Sequence, residues 1–346
     1  MTNTQTQPLE MTIATEDYVV GVDMGGTKIL AAVVDAEGKI ISHSKIATHA
    51  EKEPDQVIDR IARCIGEAIE QAHLEASQIR AIGIGAPGPL DPEEGIVIFA
   101  PNLDWSNVPL KAELESRLGI PTFVDNDVNV GTLGEHVLGA GRGVKNLVGI
   151  FVGTGVGGGI ILNGKLFHGA SKTAGEVGHM IVKADGPRCG CGNLGCLEAV
   201  ASRTAIAKQL QKAILKKKKK SILPKLNDGN LDLIRSKALA EAVKRGDKVT
   251  TKVMRRAGKY LGIGVASIVN FLNPEMIVLG GGVIEAMGDS FVDQIRRVAG
   301  EYALPNTMNG VQIVTAKLGD NAGVIGAAVL ARQMLNEQMS RHVSNS

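Results

Sequence analysis

The chain has 346 residues, 44% of them hydrophobic and 21% charged, with a formal net charge of +2. That is enough for two domains with sizeable cores, and too balanced to mark a nucleic-acid or membrane surface. Forty-three glycines stand against six Phe, three Tyr and one Trp, and they gather in bursts without a fixed period, which excludes collagen-like and low-complexity chains and points to backbone-lined ligand loops.

Residues 1–17 are polar, lack the basic start and apolar run of a secretory signal, and are expected to form a disordered leader. No apolar run reaches the roughly 18 residues of a membrane span, so a reducing, cytoplasmic location is expected. From Tyr18 the sequence Y-V-V-G-V-D-M-G-G-T-K-I-L-A-A-V-V-D-A-E-G-K-I-I reads as a strand, a glycine turn, a second strand, a turn at Glu37-Gly38 and a third strand. Gly25, Gly26, Thr27 and Lys28 offer N–H groups, a hydroxyl and an ammonium to phosphate oxygens, and Asp23 offers a carboxylate to a magnesium ion. One glycine pair between strands is more often just a hairpin.

Apolar residues at helical spacing (Val57, Ile58, Ile61, Ile65, Ala68, Ile69) predict a helix over Pro54 to Ala76, with Cys64 as a core residue. A short strand, Ala81 to Ala86, precedes Pro87-Gly88-Pro89. Leu110 to Leu118 reads as a helix, and Pro121 to Val124 as a strand delivering Asp125-Asn126-Asp127 to its carboxyl end, where open α/β sheets place their chemistry. Aspartates there are also common turn residues.

From Leu147 the first pattern returns as L-V-G-I-F-V-G-T-G-V-G-G-G-I-I-L-N-G-K-L-F, with Gly153 standing where Gly25 stood. A repeat of this size predicts two similar α/β halves, each opening with a glycine hairpin. Gly153, Thr154, Gly155 and Gly157 lie in a burst of five glycines in seven residues, more than a hairpin needs, although neither hairpin has the lysine spacing or strand-to-helix context of a Walker A or Rossmann loop.

Glu176 to Glu198 carries the least ambiguous chemistry. Cys189, Cys191 and Cys196 fall within eight residues and His179 lies ten upstream, a set that makes a closed, structural, tetrahedral zinc site. Buried apolar cysteines, or a disulfide with one thiol left over, are the alternatives. Gly190, Gly192 and Gly195 would let the backbone turn tightly around the ion, which would hold Glu176 and Glu198 at the two ends of the knot. Further on, Arg203 to Leu215 is helical in pattern and runs into five lysines, Lys216 to Lys220, read as a solvated end. Ala238 to Val269 predicts one long helix. Met276 to Gly280 is a strand opening into Gly281 and Gly282, a second nucleotide signal, and Leu318 to Leu335 a small-residue helix able to pack across both halves.

Taken in order, D-M-G-G-T-K, P-G-P, A-P-N-L-D-W, D-N-D-V-N, V-G-T-G-V-G-G-G, E-V-G-H and C-G-C-G-N-L-G-C-L-E resemble the ROK family, in particular its bacterial sugar kinases, over about residues 18 to 336. The resemblance implies the actin-like ATPase fold of hexokinases. Residues 18–132 with 318–336 would form a smaller N-terminal α/β domain, and residues 133–317, which contain the zinc knot at 176–198, a larger C-terminal one.

It further implies ATP-dependent phosphorylation of a hexose, with Asp127 as general base toward the sugar's primary hydroxyl. Asn102, Asn126, Asp127, Glu176, His179 and Glu198 would bind sugar hydroxyls. Asp23, Gly25, Gly26, Thr27, Lys28, Gly153, Thr154, Gly155, Gly157, Gly281 and Gly282 would bind ATP and Mg2+. Structural Zn2+ would sit on His179, Cys189, Cys191 and Cys196, with His179 also able to reach a sugar hydroxyl through its other nitrogen. Glu198 also reads as a first-turn helix carboxylate, and Glu135 and Asp104 as structural.

Glucose is the favoured hexose, with N-acetylmannosamine, N-acetylglucosamine or fructose kinases, or a polyphosphate-using kinase, as alternatives. The family's transcriptional repressors are disfavoured because about 22 residues ahead of the first hairpin are too few for a helix-turn-helix domain. A homodimer or homotetramer is expected, without nucleic acid or membrane as partner.

Overall fold

A computed structural model describes residues 17–345, with side chains described to residue 340. The leader expected over residues 1–17 lies outside the described residues except for Asp17, whose carbonyl accepts a hydrogen bond from Arg332 Nη2 at 2.7 Å.

Strands β1 (Tyr18–Met24), β2 (Lys28–Val34) and β3 (Ile40–Ala47) form an antiparallel meander, and helix α1 (Pro54–Gln71) crosses over to β4 (Ile79–Ala86). A small antiparallel sheet, β5 (Leu90–Asp91), β6 (Ile96–Ala100) and β7 (Trp105–Val108), follows. Helix α2 (Leu110–Leu118) then leads to β8 (Thr122–Asn126) and α3 (Asp127–Val137). The first large sheet runs β3-β2-β1-β4-β8, with β4 parallel to both β1 and β8.

The plan then repeats. Strands β9 (Leu147–Val152), β10 (Val156–Leu162) and β11 (Lys165–Leu166) open the second half, followed by α4 (Leu197–Ala201), α5 (Arg203–Gln211), α6 (Leu223–Leu226), α7 (Ser236–Lys244) and α8 (Lys248–Leu272). Strand β12 (Met276–Gly280), α9 (Gly282–Met287), α10 (Asp289–Tyr302), β13 (Gln312–Thr315) and α11 (Ala322–Asn345) complete the chain. The second sheet runs β11-β10-β9-β12-β13 with the same pairing senses as the first: an antiparallel hairpin, then two parallel neighbours. The repeat in sequence is therefore a repeat in topology.

Local differences from the sequence reading have identifiable causes. Helix α1 stops at Gln71 rather than Ala76 because His73 takes a left-handed backbone, φ 56°. The helix expected over 238–269 is two. Gly246 at φ 75° ends α7, and the buried Asp247 starts α8 by accepting the Thr250 N–H at 2.7 Å. The last turn predicted for the helix at Arg203 to Leu215 is a π-turn over residues 212–216.

Helix α11 lies across the first sheet and α3 at backbone contact distance. A Cβ on Gly21 would fall 1.9 Å from the Val324 carbonyl oxygen, and one on Gly83 1.8 Å from that of Ala327. A Cβ on Gly326 would fall 1.7 Å from the Val130 oxygen in α3. Above this seat, Val324, Ile325 and Ala328 share a buried cluster with Val130 and Leu133 and with Leu147, Met276 and Val278 of the second half.

A side chain at Gly83 has nowhere to go, so Gly83→Val should destabilise the protein by about 3 kcal/mol or more, the upper end of overpacking costs. Gly66→Ala is the control, because Gly66 is exposed within α1 and its Cβ would meet nothing within 4 Å. It should be neutral or stabilising by about 0.5–1 kcal/mol. Urea-unfolding midpoints of the two variants, moving in opposite directions, check the seat of α11.

Candidate active site

A cleft of about 1060 Å³ is lined by residues of both halves. One wall comes from the β8–α3 junction, where strand passes to helix with no linker. Asn126 caps α3, its Oδ1 accepting the N–H of Val128 at 2.9 Å and of Asn129 at 3.3 Å. This places Asp127 at the first turn of α3 with its carboxylate on the cleft, accepting the Val128 N–H at 2.9 Å.

Its neighbour Asp125 has a different environment. It is 2% exposed and accepts from the Asn126 N–H at 2.7 Å and Asn129 Nδ2 at 2.9 Å, and its other oxygen meets His168 Nε2 at 2.6 Å. Both aspartates border the cleft, but Asp125 is buried and held by three partners, whereas Asp127 is part-exposed. Burial, and then the negative charge of Asp23 and to a smaller extent Glu176, push its pKa up to about 7, against the pull of the Val128 N–H. A carboxyl poised there exchanges protons near neutrality.

The opposite wall is the Glu176 to Glu198 segment. His179 Nδ1 lies 3.7 Å from Cys189 Sγ, and Cys191 Sγ 3.7 Å from Cys196 Sγ. All four ligand atoms lie within 4.8 Å of one another. Zn–S bonds of 2.3 Å at tetrahedral angles set sulfurs about 3.8 Å apart, and a Zn–N bond of 2.0–2.1 Å sets nitrogen and sulfur about 3.6 Å apart. The donor set and its spacing therefore fit a tetrahedral zinc ion.

Gly192 (φ 95°) and Gly195 (φ 76°) take left-handed turns, and a Cβ on Gly195 would fall 1.6 Å from the Lys183 oxygen. Gly190, expected to share this duty, has no positive φ. The other His179 nitrogen, Nε2, faces Glu176 at 3.8 Å. Glu198 sits in the first turn of α4 and reaches over the β9–β10 hairpin, where its Oε2 accepts the Val156 N–H at 3.1 Å. Gly155 makes room for it, since a Cβ there would fall 2.4 Å from that oxygen.

Asn102, Asn126, Asp127, Glu176, His179 and Glu198 all line the cleft, as do Gly153, Thr154, Gly155, Gly157 and Gly281. Asp23, Gly25, Gly26, Thr27, Lys28 and Gly282 are not among its lining residues. The first hairpin stands behind the cleft wall, with a Gly26 Cβ 3.4 Å from that of Asn102. Asp23, half-buried, has its carboxyl pushed up by burial and by Asp320, against the pull of Lys28. Gly281 has φ 85°, and a Cβ there would lie within 2.9 Å of the Val152 backbone. It serves the close approach of β9 and α9 as well as the cleft.

Sequence reading missed the polar groups that hold these loops. Arg203 Nη2 donates to Thr154 Oγ1 and Thr204 Oγ1 to the Thr154 carbonyl, both at 2.8 Å. Lys208 and Lys212, one and two turns further along, line the same end of the cleft. Their i, i+4 spacing from Thr204 was the available signal. Glu135, read as structural, is fully buried and accepts the N–H groups of Ala140, Lys317 and Leu318. Cys64 is a buried core residue. No helix among the described residues is long and apolar enough to cross a membrane.

Residues 19–334 match the ROK family. The chain is 38% identical to the glucokinase of Halalkalibacterium halodurans over 92% of this chain and 96% of that one. It is 32% identical to the xylose repressor of Caldicellulosiruptor bescii over 92% of this chain and 79% of that protein. Among solved structures, a ROK family glucokinase from Streptomyces griseus in complex with glucose and AMPPNP superposes with a TM-score of 0.80 at 39% identity, covering 91% of this chain and 99% of that one.

The Asp127 carboxyl, followed by carbon-13 NMR in the free protein, should titrate near pH 7 rather than near the ordinary value of about 4. Asp23→Asn should lower that midpoint by removing the negative charge that raises it most. A wild-type midpoint near 4 would show that the site is far wetter than this geometry requires.

Proposed function

The chain belongs to the ROK family, and we propose that it is an ATP-dependent glucokinase that transfers the γ-phosphoryl group to the sugar's primary hydroxyl with Asp127 as general base. The observation that carries this reading is the isolation of the Asp127 carboxyl. It is open to the cleft, opposite a wall of hydroxyl-binding groups and beside a glycine hairpin, while Asp125 two residues away is saturated with hydrogen bonds. Identity to glucokinases above that to repressors supports an enzyme over a regulator.

In this reading Glu176, Glu198, Asn102 and Asn126 orient the hexose through hydroxyl hydrogen bonds, with His179 Nε2 as a further partner. Asp127, largely deprotonated above pH 7, takes the hydroxyl proton as the oxygen attacks the γ-phosphorus and the bond to ADP breaks. The β9–β10 hairpin, with Gly153 and Thr154, and Gly281 supply backbone donors for the nucleotide, and Lys208 and Lys212 add positive charge at that end. Asp23, whose raised carboxyl would gain from a cation, is the candidate ligand for magnesium, which when bound shields phosphate charge. His179, Cys189, Cys191 and Cys196 would supply all four ligands of a zinc ion, whose contribution would then be to hold Glu176 and Glu198 in place.

Incubation with ATP and a panel of hexoses, read by ADP release, tests the function. Glucose should be turned over fastest, and Asp127→Asn should lower kcat by about 10²- to 10⁴-fold with ATP affinity retained. No ADP release with any hexose overturns the reading, and an Asn variant within about threefold of wild type removes Asp127 as the base.

The purified protein should carry one zinc per chain, and Cys191→Ser should carry less. With Glu176, His179 and Glu198 left to be ordered on binding, at about 0.5–1.5 kcal/mol each, glucose affinity should drop about tenfold or more. ATP affinity should fall less, because the hairpin is also held from outside the knot, by β12 pairing with β9 and by Arg203 and Thr204 on Thr154. Metal analysis and calorimetry measure both; unchanged glucose affinity in zinc-free protein would falsify the scaffold role.

A further inference from the structure

The loop between β11 and Glu176 belongs by sequence to the second half of the molecule, yet its side chains reach the first. His168 Nε2 meets the buried Asp125 carboxylate at the end of β8 at 2.6 Å. Four residues on, Lys172 donates to Glu93 in the turn between β5 and β6. Between these points the loop is closed on itself. The Ala174 N–H donates to the His168 carbonyl at 2.9 Å, and Ser171 and Thr173 hydroxyls meet at 3.0 Å. Gly175, at φ 91°, then presses against β10, where a Cβ would fall 2.6 Å from the Gly158 oxygen.

Each end of the His168–Asp125 contact is tied closely to one wall of the cleft. Asp125 is two residues from Asp127 and shares its Oδ1 between the Asn126 N–H and Asn129 Nδ2, so it braces the first turn of α3. On the other side, Gly175 accepts the Val177 N–H at 2.6 Å and Glu176 that of His179 at 3.0 Å, so the loop runs directly into the sugar-facing segment. We propose that His168 is a positioning residue that locks the Asp127 wall to the Glu176–His179 wall through Asp125, setting the span across which the hexose is held. This rests on the hexose-kinase reading above. The charged groups facing His168 are Asp125, Lys172 and Glu93, and the hydrogen bond to Asp125 favours the protonated ring. With Asp125 ionised, the ion pair is therefore present below the raised pKa of His168 and lost as pH rises through it, leaving a neutral hydrogen bond.

Kinetics and amide hydrogen exchange on full-length wild type, His168→Ala and His168→Gln test the lock. Removing a hydrogen bond to a charged group is worth about tenfold, so His168→Ala should raise the glucose KM by about that factor and leave the ATP KM within about twofold. It should also speed exchange in both 125–131 and 168–179. Gln, which keeps a donor near the Nε2 position, should restore most of the glucose KM and abolish the alkaline rise in KM that the lock predicts for wild type. A wild-type glucose KM in the Ala variant overturns the lock, as does a Gln variant no better than Ala. If the wild-type protein phosphorylates no hexose, the proposed function fails, and exchange alone decides the lock. Acceleration in both walls supports it, and acceleration confined to 168–175 overturns it.

Discussion

The arrangement depends first on how closely α11 lies against its neighbours. With Gly21 and Gly83 beneath it and Gly134 facing its own Gly326, the helix meets the sheet and α3 through backbone atoms, and any Cβ at Gly21, Gly83 or Gly326 would overlap a carbonyl oxygen. Such contacts allow almost no sliding, because there is no side chain to repack. They fix α3, and α3 carries Asp127 on its first turn. The buried Glu135 adds to this by accepting backbone N–H groups from residues 317 and 318, just ahead of α11. A helix from the far end of the sequence thus sets the position of a carboxyl near residue 127.

Two aspartates two residues apart acquire different chemistry from their surroundings alone. Asp125 points back into the junction, where three donors reach it. Asp127 points into the cleft, with one backbone donor and with Asp23 and Glu176 adding negative charge. The helix N-terminus would favour its ionised form, but burial outweighs that effect, and the result is a group able to change protonation near neutral pH.

Where chemistry is written in consecutive residues, the sequence was readable. The two glycine hairpins predicted two sheets of equal plan, the Cys-x-Cys-x4-Cys run with His179 predicted four converging ligand atoms, and Asp125-Asn126-Asp127 predicted a strand end on the cleft. Contacts between distant residues were not readable. Nothing in the sequence pairs His168 with Asp125 or Arg203 with Thr154, because each contact exists only once two elements have packed. The break between α7 and α8 lies between these cases. Gly246-Asp247 is a helix stop followed by a cap, but apolar periodicity continues on both sides and hides it.

The metal knot is not an appendage to this arrangement. Glu198 leaves the knot one residue after α4 begins and accepts the Val156 N–H in the hairpin that borders the nucleotide end of the cleft. His179, one of the four converging ligand groups, turns its Nε2 toward Glu176. From one side, the segment therefore holds Glu176 and Glu198, the carboxylates proposed to face the sugar, and touches the β9–β10 hairpin. From the other side, β8 and α3 order Asp127. The groups proposed to face the sugar are held by both halves of the molecule, and the hairpin proposed to hold the phosphate donor mainly by the second. A change in the angle between the halves should therefore disturb the sugar site before the nucleotide site.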